Sequence, residues 1–173
     1  MNLIITCPRH FENETLEEIK GILNEMGDAN PIISITEMPG ILTISTKINE
    51  LEVIKNIQEK ILDEPWRIRY CLRIIPIQST VTTNLEDIRK EIGKLIGVIN
   101  SDETYRITIE KRNFNISKNE IIKEIANYLT NKVSLEDPDW IILIEIIGIT
   151  TGLAVLRKGS IVSVEKMKRS ISS

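Results

Sequence analysis

Few side chains in this 173-residue chain are equipped for chemistry. His10 is the one histidine, and the two cysteines, Cys7 and Cys71, stand far apart. A lone histidine removes His-based metal sites and makes a Ser-His-Asp or Cys-His catalyst hard to assemble. The cysteines lack the C-x-x-C spacing of a zinc or redox centre. No carboxylate pair stands out for acid–base work. Glu17 and Glu18 read as helix-start residues, and Asp137 and Asp139 as turn residues. Gly148 and Gly152 lack the Lys-Ser/Thr of a phosphate loop and do not lead from a strand into a helix, so they read as a hairpin turn. These residues imply a non-catalytic chain with no metal and no cofactor.

What remains is a set of basic residues at element ends. Lys111, Arg112 and Asn113 follow a strand, Lys118 opens the next helix, and Arg157 and Lys158 close another strand. Lys166, Lys168 and Arg169 lie in the tail. Arg and Lys at such positions, with a helix N-terminus among them, suit phosphate oxygens. Bulk charge offers no support, because the formal charge is −3 and the pI is near 5.4. Residues 1–85 hold 8 Lys and Arg against 12 Asp and Glu, whereas residues 86–173 hold 14 against 13. On charge alone an ordinary solvated surface is the better reading, so any RNA contact has to be a local patch.

The elements that position these residues follow from periodicity. Residues 1–78 read as β-α-β-β-α-β, the split arrangement called ferredoxin-like. A strand over residues 3–7 stops at Pro8, and Thr15 with Glu18 resembles a capping box. Leu16, Ile19, Leu23 and Met26 recur at helical spacing before Gly27. A hairpin turns at Pro39-Gly40. Leu51, Ile54, Ile57 and Ile61 mark a second helix, and residues 67–75 alternate as a half-exposed strand. First and fourth strands of this arrangement pair antiparallel, which could bring Cys7 near Cys71; two inert thiols are a better reading than a disulfide. Residues 79–84 read as a linker, polar and extended.

A second domain over residues 85–173 follows, giving an α/β (α+β) chain of two domains. Asn84 caps a helix faced by Ile88, Ile92 and Leu95. Residues 105–110 alternate as a strand, and Ser117-Lys118-Asn119-Glu120 is a capping box opening a helix expected to reach about Lys132. Strands at 140–147 and 153–156, then a short one near 161–164, precede a polar tail. The run from Trp140 to Ile147 contains Glu145 and is far shorter than the ~20 apolar residues a membrane-spanning helix needs. The N-terminus lacks a signal-peptide pattern, and a cytoplasmic protein is expected.

Residues 84–158 resemble the THUMP domain, an RNA-binding module of tRNA-modifying proteins. The likeness rests on Tyr105-Arg106-Ile107-Thr108-Ile109-Glu110-Lys111-Arg112, the Ser117-led helix, Val133-Ser134-Leu135-Glu136-Asp137-Pro138-Asp139-Trp140, and the strand after it. Many THUMP proteins carry a ferredoxin-like domain in front, as residues 1–78 suggest. A catalytic domain usually follows, but only some fifteen residues remain after Lys158. The chain therefore looks like the stand-alone family that serves as tRNA adapter for an RNA cytidine acetyltransferase. The segments Gly148-x-x-x-Gly152-Leu153-Ala154-Val155-Leu156 and Arg73-Ile74-Ile75-Pro76-Ile77 are similar to that branch, and the Ile/Lys/Asn bias fits an archaeal version. The resemblance implies a grip on the tRNA acceptor end and help with N4-acetylcytidine formation by the partner enzyme. By the same transfer Lys111, Arg112 and Lys118 are the leading tRNA contacts, Arg157 and Lys158 come next, and Asn113 can bond sugar or phosphate. A third basic residue is common in the family where Asn113 stands. The alternative is the RNA-binding subunit of a split thiolation or methylation enzyme.

Overall fold

The computed structural model describes residues 1–172 and divides into two compact units. The first begins with β1 (Leu3–Thr6), α1 (Glu12–Glu25), β2 (Ile32–Ile35), β3 (Ile41–Ser45), α2 (Glu50–Asp63) and β4 (Arg73–Pro76). The strands lie in the order β2-β3-β1-β4, and every neighbouring pair is antiparallel. This is the ferredoxin-like arrangement. Its core sets Leu3, Ile5, Leu42 and Ile44 from the strands against Ile19, Leu23, Val53, Ile57 and Ile61 from the helices.

Two local expectations give way here. Helix α1 starts at Glu12, and the Thr15 hydroxyl inside its first turn donates to the Phe11 carbonyl at 2.6 Å, so no Thr15–Glu18 capping box forms. The Glu18 carboxylate instead accepts from the backbone N–H groups of Arg69, Tyr70 and Cys71 at 2.9 to 3.3 Å. Those donors are taken by a side chain and not by a neighbouring strand. Together with the 3-10 turn at Pro65–Arg67, this shortens the expected strand to β4. Cys7 and Cys71 are free and buried, and burial above all raises both thiol pKa values.

The second unit runs through β5 (Ser79–Thr82), α3 (Leu85–Leu95), β6 (Tyr105–Arg112), α4 (Lys118–Ala126), β7 (Trp140–Ile147) and β8 (Thr150–Arg157). Its sheet has the order β5-β8-β7-β6, with β6 parallel to β7 and the other pairs antiparallel. Helix α4 ends at Ala126, well short of Lys132. Ile88 and Ile92 of α3 and Ile121 and Ile125 of α4 bury against Ile109, Ile142, Ile144, Leu153 and Val155. Gly152 lies inside β8 and not in the turn. A Cβ there would stand 2.9 Å from the tip of the Ile77 side chain, which would have to shift to admit a larger residue.

The boundaries differ from those expected at both ends of the second unit. The stretch read as a linker is a strand: β5 pairs with β8 in register from Ser79↔Leu153 to Thr82↔Thr150. The Gln78 carboxamide oxygen also accepts from Val155 N–H at 2.8 Å. The tail leaves the second unit at Lys158. It forms β9 (Val162–Ser163) on the edge of β4 and then α5 (Val164–Ser172), both in the first unit. Val162 and Val164 are almost wholly buried, and the Lys168 ammonium donates to the Ile68 carbonyl at 2.6 Å. The strand expected near 161–164 is thus present but pairs in the first unit, and a helix stands where a polar tail was expected. With these boundaries, residues 77–158 hold 11 Lys and Arg against 12 Asp and Glu, so the second unit is not basic overall. No described helix is long and apolar enough to cross a membrane.

Candidate nucleic-acid interface

Alternation along β6 decides where its basic residues point. Successive side chains of a strand face opposite sides of the sheet. Tyr105 and Ile109 face the helices and join their core, so Lys111 belongs to that side and Arg112 to the other. The Lys111 ammonium donates to the Ile116 carbonyl at 3.0 Å, in the loop that leads into α4, and its side chain stays exposed. Arg112 turns inward. Its Nη1 lies 2.6 Å from the Glu145 carboxylate, which is fully buried, while the Arg112 side chain is 19% exposed. Adjacent in sequence, the two cations therefore do different things: one is offered to solvent and the other neutralises a buried acid.

The chain then turns at Asn113, whose φ of +56° lies in the left-handed region. Asn is among the few residues other than Gly that adopt this conformation readily, which gives Asn113 a local reason to stand where the resemblance expects a cation. Ser117 follows and caps α4, its hydroxyl accepting from Glu120 N–H at 3.2 Å. Lys118 is the first helical residue and is exposed. Lys111, Asn113 and Lys118 thus flank one loop at the C-terminal end of β6.

Two further elements reach that end of the sheet. The β7–β8 turn is Gly148-Ile149, and Gly148 N–H donates to the Arg112 carbonyl at 2.9 Å. Ile149 at the tip is 76% exposed. Thr83 is locked to this turn: its N–H donates to the Ile149 carbonyl at 2.8 Å, and its hydroxyl meets Gly148 and Thr151. Asn84 follows and caps α3, accepting from Asp87 N–H at 2.8 Å. The N-termini of α3 and α4 therefore share one end of the sheet with Lys111 and Lys118. Free N–H groups and the positive ends of two helix dipoles favour an anion there. Glu86, Asp87, Glu110 and Glu120 lie in the same region, so the positive character is confined to a small patch.

Arg157 and Lys158 are not part of it. In the β7–β8 ladder Trp140 opposes Arg157 and Ile147 opposes Thr150, which places Arg157 seven positions away, roughly 23 Å at 3.3 Å per residue. Both cations have acidic partners. Arg157 pairs with Glu103 and lies 4.1 Å from the Trp140 ring centre, and Lys158 pairs with Asp137. Glu103 also accepts from the Trp140 indole N–H at 3.0 Å and from Asn100 N–H, and with Arg157 these bonds lower its pKa to about 2. At this end of the sheet the cations are more than half exposed, but each is paired with an acid.

Sequence reasoning missed the contributions of Thr83, Asn84 and Ile149 to the same patch. Asn84 was legible as a cap and Gly148 as a turn residue, but their meeting is tertiary. Among the described residues no three His, Cys, Asp or Glu side chains gather as a metal site.

Residues 82–156 match the sequence pattern of the THUMP domain. The chain contains a THUMP domain. Among solved structures, PH1313 from Pyrococcus horikoshii Ot3 is similar, with a TM-score of 0.66 and 18% identity over 91% of this chain and 55% of that one. TrmN from Thermus thermophilus gives 0.58 and 11% identity, covering 90% and 45%. A 4-thiouridine synthetase solved as an RNA complex with bound ATP gives 0.54 and 11% identity, covering 94% and 42%. At these identities the likeness concerns the fold, and it extends beyond the THUMP domain into the ferredoxin-like unit. The chain spans about half the length of these solved chains. No curated protein matches it in sequence.

Proposed function

We propose that this chain binds tRNA through the Lys111–Lys118 end of its THUMP domain and serves as a non-catalytic adapter. In this role it presents tRNA to a partner RNA cytidine acetyltransferase for N4-acetylcytidine formation. The observation that carries the binding part is the meeting of Lys111, Lys118, Asn113 and two capped helix N-termini at one end of a THUMP sheet. That arrangement suits phosphate and sugar oxygens and leaves base chemistry to another protein. Arg112 acts here as a positioning residue, holding the end of β6 on Glu145 so that Asn113 and Lys118 keep their place. An adapter of this kind raises the partner's effective concentration on its substrate and orients it.

A second reading is the RNA-binding part of a thiolation or methylation enzyme. It is favoured by the structural likeness to TrmN and to a 4-thiouridine synthetase, both about twice as long as this chain. Nucleoside mass spectrometry of tRNA from a deletion strain separates the two. The adapter reading expects loss of acetylcytidine alone. Loss of thiouridine or a methylated guanosine with acetylcytidine intact contradicts it and favours the second reading.

A further inference from the structure

The free edge of β2 is a second surface, and it belongs to the ferredoxin-like unit alone. β2 is the outermost strand in the order β2-β3-β1-β4-β9, and β3 is the strand it pairs with. Backbone groups along an antiparallel ladder alternate between facing the partner and facing away. Thr36 faces β3, its N–H donating to the Ile41 carbonyl at 3.1 Å. By alternation Ser34 and Ile32 face β3 as well, opposite Thr43 and Ser45. Ile33 and Ile35 therefore turn N–H and C=O away from the sheet, and no group among the described residues bonds them. No described residue covers this edge: Ile32 is 70% exposed and Ile35 42%, Ser34 is exposed, and Ile33 is half-buried. Edge strands are commonly guarded by charged side chains, and Ile32–Ile35 carries none. Pro31 in front and the bend that begins at Glu37 keep the open stretch short.

We propose that this edge docks a second copy of the chain, antiparallel, about a two-fold axis through Ser34. Ile33 then exchanges both backbone hydrogen bonds with Ile35 of the second copy, and the symmetry repeats the pair. Every open N–H and C=O of Ile33 and Ile35 is satisfied in both copies. The same two isoleucines meet on the helix-facing side of the sheet, where Ile33 already packs against the core. Ile32 meets Thr36 of the second copy on the other side. Cross-strand pairs of β-branched side chains are favourable, and no like charges are opposed, because Glu37 of the second copy falls opposite Pro31. Neighbouring registers leave groups unpaired. A two-fold through Ile33 sets Ile35 against Pro31, which has no N–H, and one through Ile35 sets Ile33 against Glu37, where the chain has left the strand. The strip of contact falls well short of the ~800 Å² per partner of a standard interface, so the dimer is a weak one. The contact is isologous, which closes at two copies.

Sedimentation velocity of the full chain, from about 1 to 500 µM, tests this on the scale expected of a small interface. The wild type passes from monomer to dimer across that range. The axis sets Ser34 opposite Ser34 of the second copy, in the closer, non-hydrogen-bonded class of cross-strand pair. Ser34→Lys and Ser34→Glu therefore each raise the dimer dissociation constant about tenfold or more, whereas an equimolar mixture of the two forms a heterodimer within about threefold of wild type. Ser34 is exposed, so both variants keep the core intact. Ile35→Pro, which removes an N–H with no partner in the monomer, gives a folded monomer by circular dichroism. A chain that stays monomeric throughout, including one that captures only an extended segment of another protein, overturns the proposal. So does a dimer indifferent to Ser34→Lys, or a pair of folded single variants whose mixture does not associate.

Discussion

Lys111 and Arg112 show how much one position matters in a strand. Removing each has a different consequence. Arg112→Ala strands the buried Glu145 carboxylate without its cation, so urea unfolding should show a loss of roughly 3–5 kcal/mol. Lys111→Ala should change stability by no more than about 0.5 kcal/mol, because the side chain is exposed and gives up one surface hydrogen bond. Equal losses from the two would contradict the division of labour. Glu103 supplies a pH signature. Its pKa lies near 2 in the fold against an ordinary value of 4.5, so its stabilising effect is present above 4.5 and fades as pH falls toward 2. Glu103→Gln should remove that part of the acid sensitivity, read as a flatter stability profile between those pH values. The Lys-Arg pair itself was legible in the sequence. Its split was not, because Glu145 stands 33 positions away and shows itself as Arg112's partner only once β6 and β7 are paired.

Periodic elements were the most readable, since a helix face or an alternating strand is written in local order. The caps at Asn84 and Ser117 were legible for the same reason. Non-periodic decisions were less so. Glu18 reads as a helix-start acid, but it serves as the acceptor for three backbone donors some fifty residues away. Ser79 to Thr82 reads as a linker because neither face of a short polar strand announces a partner; the partner is β8, formed seventy residues later. The C-terminal stretch was misread for a related reason. The short strand near 161–164 was legible, but the unit it joins was not, because its edge partner β4 lies some ninety residues earlier. A chain ending at Lys158 should consequently lose thermal stability in its ferredoxin-like unit, since Val162 and Val164 no longer bury. Hydrogen exchange should show faster amides around β4 with β6–β8 little changed. An unchanged melting profile would contradict the placement of β9 and α5.

For the whole molecule, the returning C-terminus has an electrostatic consequence. Assigning Lys166, Lys168 and Arg169 to the first unit removes the slight basic excess that composition had given the THUMP half. Any grip on RNA then depends on local geometry: two exposed lysines, a left-handed Asn and two helix N-termini gathered at one sheet end. Binding through so few phosphate contacts should be modest and should weaken with added salt as counterions are retained. It should also respond to one end of the THUMP sheet and not the other. The most direct measurement compares tRNA binding of two double variants at about 0.1 M salt. Lys111→Glu with Lys118→Glu should weaken binding about tenfold or more, whereas Arg157→Gln with Lys158→Gln should stay within about twofold of wild type. Equal losses, or a greater loss from the second pair, would contradict the assignment of the tRNA site to the Lys111–Lys118 end.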